Sequence, residues 1–507
     1  MVFVIVAIAV VFRFYRIQSI PPGLYPDEAM NGNNALEALQ TGEFKVFYPE
    51  NNGREGLFIN IQALSLKTFG NHPWALRIVS AIFGVFTVLG TYFLARQLFN
   101  WQIGAISSFL MATSFWHTLF SRIGFRAIMA PFLLVWGFYF FWRGLEQNRL
   151  RYFFVSGIFW GLGFYTYIAF RIMPLAMILA LFAYWYSLKK DFSHGKYQYT
   201  RDRLIKGMAL FMITVIIVAL PIGLYYYNNP GDFLGRTGQL SIFTSANPLV
   251  SLTVNLAKTL AMFNFVGDYN WRHNYSGDPL LFWPVGIFFI IGFTRNLIKL
   301  ADDYDKHRHL PTVRVLLISW FFLGLLPVIL SNEGLPHALR AIILAPVVFI
   351  FAGEGLWWIY EFVRKWYGAR DFHDLRLGKL HVHEGNFIAG LVIVIFLIAS
   401  MVFEFDRYFF KWALNPNVPP AFSARYVEIG NYVEQLPRSI KKYVVVNVDG
   451  VLINNIPMSA QTVMYITDTY TPEKQAQKNI YYLTEEQHRS GQYNKASVVI
   501  LLENENK

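Results

Sequence analysis

Cysteine is absent from the 507-residue sequence, which excludes disulfide frameworks, thiolate metal sites and cysteine nucleophiles. Charged residues are scarce, at 15% of the chain where a soluble protein has about 25%. Hydrophobic residues make up 55% of the chain and aromatic residues 18%, which excludes a disordered or fibrous protein. The composition therefore predicts an integral membrane protein.

The charge that is present is basic, with 44 Lys and Arg against 32 Asp and Glu and a net charge of +12. A nucleic-acid-binding protein carries such an excess on a soluble surface. Here the cations fall between long apolar runs. We therefore expect a lipid bilayer, and no nucleic acid, as a partner of this chain.

Eleven apolar runs fit or approach the length of about 20 residues that a helix needs to cross a bilayer. The shortest is the N-terminal run 1–12; a cleaved signal peptide is the alternative for it, but the run lacks a basic n-region and a small-residue cleavage site. The fold class predicted is a mainly α-helical polytopic membrane bundle. Its spans are expected at 1–12, 74–94, 103–120, 128–142, 152–168, 171–187, 207–227, 279–294, 313–330, 338–362 and 387–403.

The distribution of Lys and Arg predicts the orientation, because cytoplasmic connections carry an excess of both. With eleven spans and a cytoplasmic N-terminus, the cation-rich stretches all fall inside: 143–151, 187–206, 295–314 and 361–386. The segments expected outside are 19–73, 121–127, 228–278, 331–337 and the tail from 404. They include the longest loops and have fewer cations for their length.

Two of these outer loops are too long to be simple connectors. The first, 19–73, predicts amphipathic helices at 27–39 and 57–69, with apolar faces suited to a membrane interface. The second, 228–278, has a helix-like stretch at 249–264. We divide the chain into a transmembrane domain, 1–403, and a small extracytoplasmic α/β domain, 404–507. In the latter the pattern predicts a helix at 424–436 and β-branched strands at 443–448, 462–466, 480–483 and 497–502.

Two acidic residues, Asp27 and Glu28, follow the first span in segment 21–28 (PPGLYPDE). Three prolines and a glycine stiffen the approach to them, and a stiff approach positions a carboxylate. The other interpretation is that Asp27 caps the helix it begins, with Glu28 favoured there by the helix dipole. The two roles do not exclude each other.

Cations on the outer side contradict the usual cytoplasmic preference, so something outside should neutralise them. They are Arg13 and Arg16 at the end of the first span, Arg54 in the long first loop, Arg122 and Arg126 in the short loop 121–127, and Arg340 beside His337. Phosphates of the bilayer are one candidate. The other is the phosphate of a lipid substrate, whose oxygens suit the forked guanidinium group.

These motifs resemble the GT-C class of lipid-phosphate-sugar-dependent glycosyltransferases, in particular the branch of protein O-mannosyltransferases and aminoarabinose transferases. The resemblance covers about residues 1–400. The motifs on which it rests are RFYRI at 13–17, the Asp27–Glu28 pair, Arg54–Glu55 before the second span, SRIGFR at 121–126 with Pro131, and HALR at 337–340 with Pro346.

The resemblance implies transfer of one sugar from a polyprenyl-phosphate donor to an acceptor glycan, lipid or protein on the outer face. Asp27 then corresponds to the catalytic base and Glu28 to a neighbour that contacts substrate or metal. Donor-phosphate contacts are expected from Arg54, Arg122, Arg126 and Arg340. Additional substrate contacts are expected among Arg13, Arg16, Glu55, His337, Asp268 and Arg272.

One motif departs from the family pattern. Some relatives read Lys-Pro-Pro-Leu before the second loop helix, whereas this chain reads Arg-Glu-Gly-Leu at 54–57. The identity of the donor sugar therefore stays open. No two of the outer histidines have a metal-ligand spacing such as His-x-x-x-His, so no dedicated zinc site is predicted. A loosely held divalent ion at Asp27 and Glu28 stays open, and no other cofactor is indicated.

A sugar phosphate reacts through an oxocarbenium-like state, and a direct displacement needs only one carboxylate as base. We therefore expect inversion at the anomeric carbon. Alternatives are an oligosaccharide ligase with a lipid-pyrophosphate donor and, from another class, a polytopic lipid or sugar transporter or flippase. The retention signals and long lumenal insertions of eukaryotic relatives are missing, which favours the cytoplasmic membrane, with the active site outside.

Overall fold

The structure is a computed structural model that describes residues 1–191, 194–239, 241–244, 247–307, 311–368, 374–377, 380–448, 450–491 and 497–503. Parts of the predicted cytoplasmic connections 187–206, 295–314 and 361–386, and of the outer loop 228–278, lie outside the described residues. The helices are α1 (Val2–Phe14), α2 (Pro26–Thr41), α3 (Gly56–Phe69), α4 (Pro73–Leu98), α5 (Trp101–Thr113), α6 (Phe115–Phe120), α7 (Met129–Gln147), α8 (Leu150–Gly163), α9 (Pro174–Asp191), α10 (His194–Asn228), α11 (Pro230–Gln239), α12 (Pro248–Ala261), α13 (Trp283–His307), α14 (Thr312–Ile329), α15 (Ala345–Gly368), α16 (Glu384–Asp406), α17 (Val418–Ala421), α18 (Ala424–Gln435), α19 (Gln461–Ile466), α20 (Pro472–Lys478) and α21 (Glu485–Arg489).

The strands are short and form small sheets. They are β1 (Phe47–Tyr48), β2 (Arg54–Glu55), β3 (Asp374–Leu377), β4 (Leu380–His383), β5 (Lys442–Asn447), β6 (Leu452–Ile453), β7 (Ile456–Pro457), β8 (Ile480–Thr484) and β9 (Val498–Glu503). The predicted fold class, a mainly α-helical polytopic bundle with a small α/β domain, is confirmed.

Eight of the described helical segments are long and apolar enough to span a membrane, so the chain is a multi-pass membrane protein. They are Pro73–Leu98, Arg126–Gln147, Ile168–Leu188, Arg201–Asn228, Trp283–Tyr304, Thr312–Ile329, Ile342–Trp366 and Phe387–Trp412. The other three predicted spans coincide with α1, α5 and α8, which have 13, 13 and 14 residues. At 1.5 Å per residue these helices are only about 20 Å long. The count of eleven spans stays a prediction.

Close helix packing in the bundle depends on glycine where α13 crosses α15. A Cβ on Gly292 would overlap the backbone of Phe351, and a Cβ on Gly355 would overlap the backbone of Phe288. Small residues let the backbones of two membrane helices approach in this way. The crossing fixes α15, most of which is buried at the centre of the bundle.

The five segments predicted to lie outside meet at one end of the bundle, which we call the loop face. The hydrogen bonds that join them include Gly124 N to Glu28 Oε2 (2.7 Å), Asn33 Nδ2 to the Gln461 carbonyl (3.1 Å), Asn255 Nδ2 to the Ser331 carbonyl (2.8 Å), and Arg272 Nη1 to the Ala421 carbonyl (3.2 Å). Such contacts require all five segments to share one side of the membrane, as the predicted topology has them.

Helix α2 begins and ends at the residues that its sequence favours. Pro26 occupies the first helical turn, where its missing N–H costs nothing, and Gly42 ends the helix with a φ of 79°. The expectation of a membrane-interface position is wrong for this helix. Most of its residues are buried, among them Glu28, Asn31 and Asn34, because α2 packs between α3 and α19.

The C-terminal domain contains a parallel sheet with strand order β8–β5–β9. Strands β5, β8 and β9 lie where the sequence predicts them, and α18 matches the predicted helix. The predicted strand at 462–466 is wrong, because this stretch is helix α19. Val463 and Tyr465 are fully buried on it, so packing against α2 and α18 outweighs the strand propensity of its β-branched residues.

Candidate active site

Asp27 lies in the first turn of α2 with its side chain half-buried. The cap position is occupied by Tyr25 and no side chain caps the helix, so the capping role considered for Asp27 is wrong. Instead, Asn51 Nδ2 donates a hydrogen bond of 2.8 Å to Asp27 Oδ1. The carboxylate is thus oriented by one amide from the far side of the first loop.

Asp27 opens onto a cavity of about 680 Å³ on the loop face. Three parts of the chain wall it: Asp27 and Asn51 from the first loop, Tyr269 and Arg272 from the second, and Ser459 from the C-terminal domain. A concave site with a few polar groups that converge on one carboxylate is typical of an active site.

Arg272 gives the same cavity a positive charge. Its guanidinium carbon lies 3.5 Å from the centre of the Tyr25 ring, and Nη1 donates to the Ala421 carbonyl at 3.2 Å. Burial raises the pKa of Tyr25, although the charge of Arg272 opposes that shift. Arg272 was predicted from the sequence to be an additional substrate contact. In the structure it lines the same cavity as Asp27.

Glu28, in contrast, is completely buried. Its Oε2 accepts hydrogen bonds from Arg77 Nε at 3.0 Å and from the Gly124 amide at 2.7 Å, while Oε1 accepts from Arg77 Nη2 at 3.0 Å. Arg77 also donates to the carbonyls of Pro21 and Gly23. These contacts favour a positioning role for Glu28, which fastens α2, α4 and the loop at 121–125 together.

The same contacts test the divalent ion considered for Asp27 and Glu28. Both oxygens of Glu28 are occupied by guanidinium and amide donors, and the side chain has no exposed surface. A metal would have to displace Arg77 from a buried, bidentate pair, which is costly. The residues present do not fit a metal shared by these two carboxylates.

Arg54 is buried to 98%, and each of its three guanidinium nitrogens donates a hydrogen bond. Nη1 donates to Asn31 Oδ1 at 2.7 Å, Nη2 to Asn34 Oδ1 at 2.5 Å and Nε to the Glu50 carbonyl at 3.4 Å. Burial, helped by the nearby Arg126, lowers the pKa of Arg54 to about 10, so the group stays charged at neutral pH. This arrangement favours a structural role over the expected contact with phosphate.

Three further predicted arginines are engaged by protein. Arg122 is fully buried and donates to the carbonyls of Phe12, Tyr15 and Ile20, and Arg13 is fully buried with donors directed to Ala112 and His117. Arg340 bonds to Ser331 and to the Glu333 carbonyl. These three hold loops and helix ends. Arg16, by comparison, is exposed.

Arg126 and Arg171 form the second charged group of the loop face. Arg126 Nε lies 2.8 Å from Glu55 Oε2, and Arg171 Nη2 lies 3.4 Å from Glu55 Oε1. Two guanidinium groups therefore share one carboxylate, and both keep part of their surface exposed. Such a group has an excess positive charge for an anion. Arg171 was not among the residues predicted from the sequence, although a cation at the end of an apolar run was a usable signal.

An apolar groove of about 510 Å³ begins at Arg171. Its walls are lined by Phe164, Ile222, Tyr226 and Phe233, and the Arg171 guanidinium lies over the rings of Tyr226 (4.9 Å) and Phe233 (4.5 Å). Because α10 and Ile168–Leu188 are candidate spans, the groove runs along membrane-facing helices. A long apolar chain with an anionic head matches this shape and charge.

Segment 51–55 connects the groove to the cavity. Asn51 binds Asp27, the Gly53 carbonyl accepts from Arg126 Nη2 at 3.4 Å, and Glu55 pairs with Arg126 and Arg171. The first loop therefore binds the Asp27 carboxylate at one end of a five-residue stretch and the two partly exposed cations at the other.

Asp268, His273 and His337 form a third cluster, of which only Asp268 and His337 were predicted from the sequence as site residues. One donor atom from each lies within 4.8 Å of the others, and two imidazoles with a carboxylate suit Zn²⁺ by donor type. Asp268 is already engaged, however: Oδ2 accepts from the Ala338 amide (2.9 Å) and lies 3.1 Å from His273 Nδ1, and Oδ1 accepts from the Asn270 amide (2.9 Å). These hydrogen bonds fasten the second loop to residue 338.

A protein-family model described as dolichyl-phosphate-mannose-protein mannosyltransferase matches residues 57–200. No curated protein matches the chain in sequence. Among solved structures, ArnT from Cupriavidus metallidurans bound to undecaprenyl phosphate is 14% identical with a TM-score of 0.56, over 99% of this chain and 89% of that one.

The oligosaccharyltransferase of Archaeoglobus fulgidus with a tethered acceptor peptide is 12% identical, with a TM-score of 0.54 over 95% of this chain. This chain spans 63% of the length of that protein. Another structure of the archaeal enzyme, AglB, contains an inhibitory peptide and a dolichol phosphate and has a TM-score of 0.54 at 12% identity. Identities this low show the fold alone. The chain therefore has the fold of the GT-C glycosyltransferases, and the resemblance predicted from its sequence motifs is confirmed.

Proposed function

We propose that this protein is an inverting integral-membrane glycosyltransferase, which transfers a single sugar from a polyprenyl-phosphate donor to an acceptor hydroxyl on the extracytoplasmic face of the cytoplasmic membrane. The observation that carries the proposal is the Asp27 carboxylate, which faces a large polar cavity together with Arg272. The match of 57–200 to a mannosyltransferase family model and the shared fold support the reaction class.

In this reaction Asp27 is the general base. It accepts the proton of the acceptor hydroxyl as the acceptor oxygen bonds to the anomeric carbon, and the bond from that carbon to the phosphate oxygen breaks. The polyprenyl phosphate leaves as an anion. Among the described residues that line the cavity, Asp27 is the one carboxylate, and Glu28 is buried, which supports direct displacement without a covalent intermediate.

The cations divide between two tasks. Arg126 and Arg171 share Glu55 and lie at the head of the apolar groove, so we place the donor phosphate against them and the polyprenyl chain in the groove. Arg272 lies in the Asp27 cavity, where its charge stabilises the phosphate oxygen as it departs. Arg54, Arg122, Arg340, Arg13 and Glu28 hold this arrangement in place, and His337 with Asp268 positions the loop that carries Arg272.

The decisive experiment is transfer by the purified protein in liposomes, with radiolabelled polyprenyl-phosphate sugars and a panel of glycan, lipid and protein acceptors. We expect one donor to support transfer and the product to have the anomeric configuration opposite to that of the donor. Retention of configuration would contradict the inverting mechanism. Transfer from lipid-pyrophosphate oligosaccharides alone would support the ligase alternative instead.

The mannosyltransferase-like specificity is tested in the same assay. We expect polyprenyl-phosphate mannose to be among the active donors, because the matched family model names dolichyl-phosphate mannose. A flippase would move the lipid-linked sugar across the liposome membrane without forming any glycosidic product. Product analysis therefore distinguishes a glycosyltransferase from a flippase.

A further inference from the structure

Helix α12 in the second outer loop has its polar side toward the protein and its apolar side outward. Only Asn255 and Thr259 of its 14 residues are buried. Leu249 is 80% exposed and Val250 is 61% exposed, and four more large apolar residues of the helix are exposed: Leu252, Val254, Leu256 and Leu260. A helix at a water-facing protein surface has the opposite orientation.

The sequence of α12 makes this orientation specific. Its polar residues recur at positions 251, 255, 258 and 259, a spacing that puts them on one arc of a helix. The remaining arc, more than half of the circumference, has Leu, Val and Ala with a single Thr at 253. The helix contains no acidic residue, and Lys258 is its only charge. An arc of this width cannot be stable in water without a partner.

Asn255 fixes which arc points inward. Its Nδ2 donates to the Ile329 carbonyl at 3.0 Å and to the Ser331 carbonyl at 2.8 Å. Ile329 is the last residue of α14, one of the candidate membrane spans, and Ser331 follows it by two residues. The polar arc of α12 therefore satisfies the end of a membrane helix, and the apolar arc is left to face outward at the same level.

The surroundings of α12 are apolar and aromatic as well. Phe243 before the helix is 75% exposed and Phe265 after it is 71% exposed, while Trp283 at the start of α13 is 65% exposed. Aromatic rings at this level are typical of the membrane–water interface. The apolar arc is thus continuous with the lipid-facing surface of the bundle. A binding site for a second protein chain would not need this continuity, so the observation favours lipid as the partner of the arc.

We propose that α12 is embedded in the bilayer, with Leu249, Val250, Leu256 and Leu260 in contact with lipid acyl chains and its polar arc bound to α14. The second outer loop is then a membrane-anchored element rather than a solvated one. Met262 and Phe263, which follow α12, are buried and pair with residues 280 and 281, so the anchor is rigidly joined to the loop that carries Asp268 and Arg272.

The absence of cysteine allows a direct test by site-directed spin labelling. Single variants Leu249→Cys, Leu256→Cys and Leu260→Cys of the full chain are labelled and reconstituted in liposomes of phosphatidylcholine and phosphatidylglycerol. Ile217→Cys, on the exposed face of span α10, is the lipid-facing control, and Tyr432→Cys, exposed on α18 of the C-terminal domain, is the water-facing control.

We expect the three α12 labels to relax with molecular oxygen, which partitions into lipid, and to be protected from a water-soluble nickel chelate, as for the Ile217 label. Accessibility to nickel equal to that of the Tyr432 label would overturn the proposal. Labels that are protected from both reagents would also overturn it, because another protein chain would then cover the arc. All five positions are exposed, so the labels should leave the fold intact.

Discussion

Glu28 and Arg77 form a buried bidentate ion pair, with Nε to Oε2 and Nη2 to Oε1 both at 3.0 Å, directly beside the Asp27 that faces the cavity. Successive residues of a helix point about 100° apart. The two neighbouring carboxylates therefore have different environments, one open to substrate and one enclosed by protein. The proposed division between a reacting and a positioning carboxylate has consequences that can be measured.

Asp27→Asn should lower the transfer rate by about 10²–10⁴, because the amide cannot accept the acceptor's proton. Donor binding and thermal stability should stay near those of the original protein, since Asp27 makes one described hydrogen bond, to Asn51. Initial rates with a saturating donor provide the measurement. Glu43→Gln changes an exposed carboxylate of the same loop and should have no effect. Normal transfer by Asp27→Asn would remove the catalytic assignment.

Glu28→Gln should instead destabilise the protein by about 3–5 kcal/mol, because it leaves the buried Arg77 without a counter-charge. Thermal unfolding in detergent measures the loss. The matched control is Glu485→Gln, which breaks an exposed pair with Arg489 and should leave the unfolding temperature unchanged. If Glu28→Gln unfolds normally and loses only activity, Glu28 belongs to the catalytic machinery after all.

Arg171→Gln should raise the donor KM with little change in kcat, because the phosphate is held there before the reaction. A hydrogen bond to a charged group contributes about 1.5–3 kcal/mol, roughly a 10- to 150-fold change in KM. Arg171→Lys should recover part of the loss, since it keeps the charge without the fork. Lys67→Gln, which removes an exposed cation of α3, serves as the control. An unchanged donor KM would place the phosphate elsewhere.

The stability of the second loop should depend on pH through His273. Burial lowers the pKa of His273 below its ordinary 6.5, although Asp268 raises it; Arg272 and Arg340 add to the lowering, and His337 stacks on the ring at 4.8 Å. The unfolded chain then binds a proton that the folded chain does not. Stability should be complete above pH 6.5 and fall below it, until the pH reaches the lower pKa of the folded state.

Unfolding temperatures between pH 5 and pH 8 provide the measurement for this prediction. His273→Gln should flatten the slope below pH 6.5, whereas His72→Gln, at an exposed site, should leave it unchanged. A slope that persists in His273→Gln would assign the titration to another group.

Gly32→Ala should weaken the docking of the C-terminal domain on α2. A Cβ at Gly32 would overlap the ring of Tyr465, which is fully buried on α19, and such overpacking costs about 1–3 kcal/mol. Gly231→Ala, where nothing lies within 4 Å of the added Cβ, should be neutral or slightly stabilising. Limited proteolysis and unfolding temperature report the difference. Equal behaviour of the two variants would mean that the contact does not secure the domain.

The bundle was largely predictable from the sequence because apolar length and Lys/Arg bias act locally along the chain. The three short helices α1, α5 and α8 limit the count of spans, since a hydropathy run does not record where a helix ends. Helix α19 was missed because its conformation depends on packing against α2, more than 400 residues away along the chain.

The candidate site was predictable as far as its residue types but not in its pairings. Asp27 and Glu28 could be singled out, yet their partners Asn51 and Arg77 come from later elements. The sequence alone does not distinguish the roles of Arg122 and Arg126. Arg122 donates its hydrogen bonds to three backbone carbonyls, whereas the side chain of Arg126 stays partly exposed. The two arginines differ in the exposure of their side chains, and this exposure is determined by the tertiary structure.

Ser459 and its neighbours line the Asp27 cavity together with the first loop. The C-terminal region of the chain therefore contributes one wall of this cavity, and that wall can be exchanged. Exchanging residues 418–503 for the corresponding region of a relative would reshape the space available to an incoming nucleophile. The groove beside Arg171 lies entirely in the preceding part of the chain and would be inherited unchanged. Chimeras of this kind offer a route to altered acceptor choice with a constant lipid carrier.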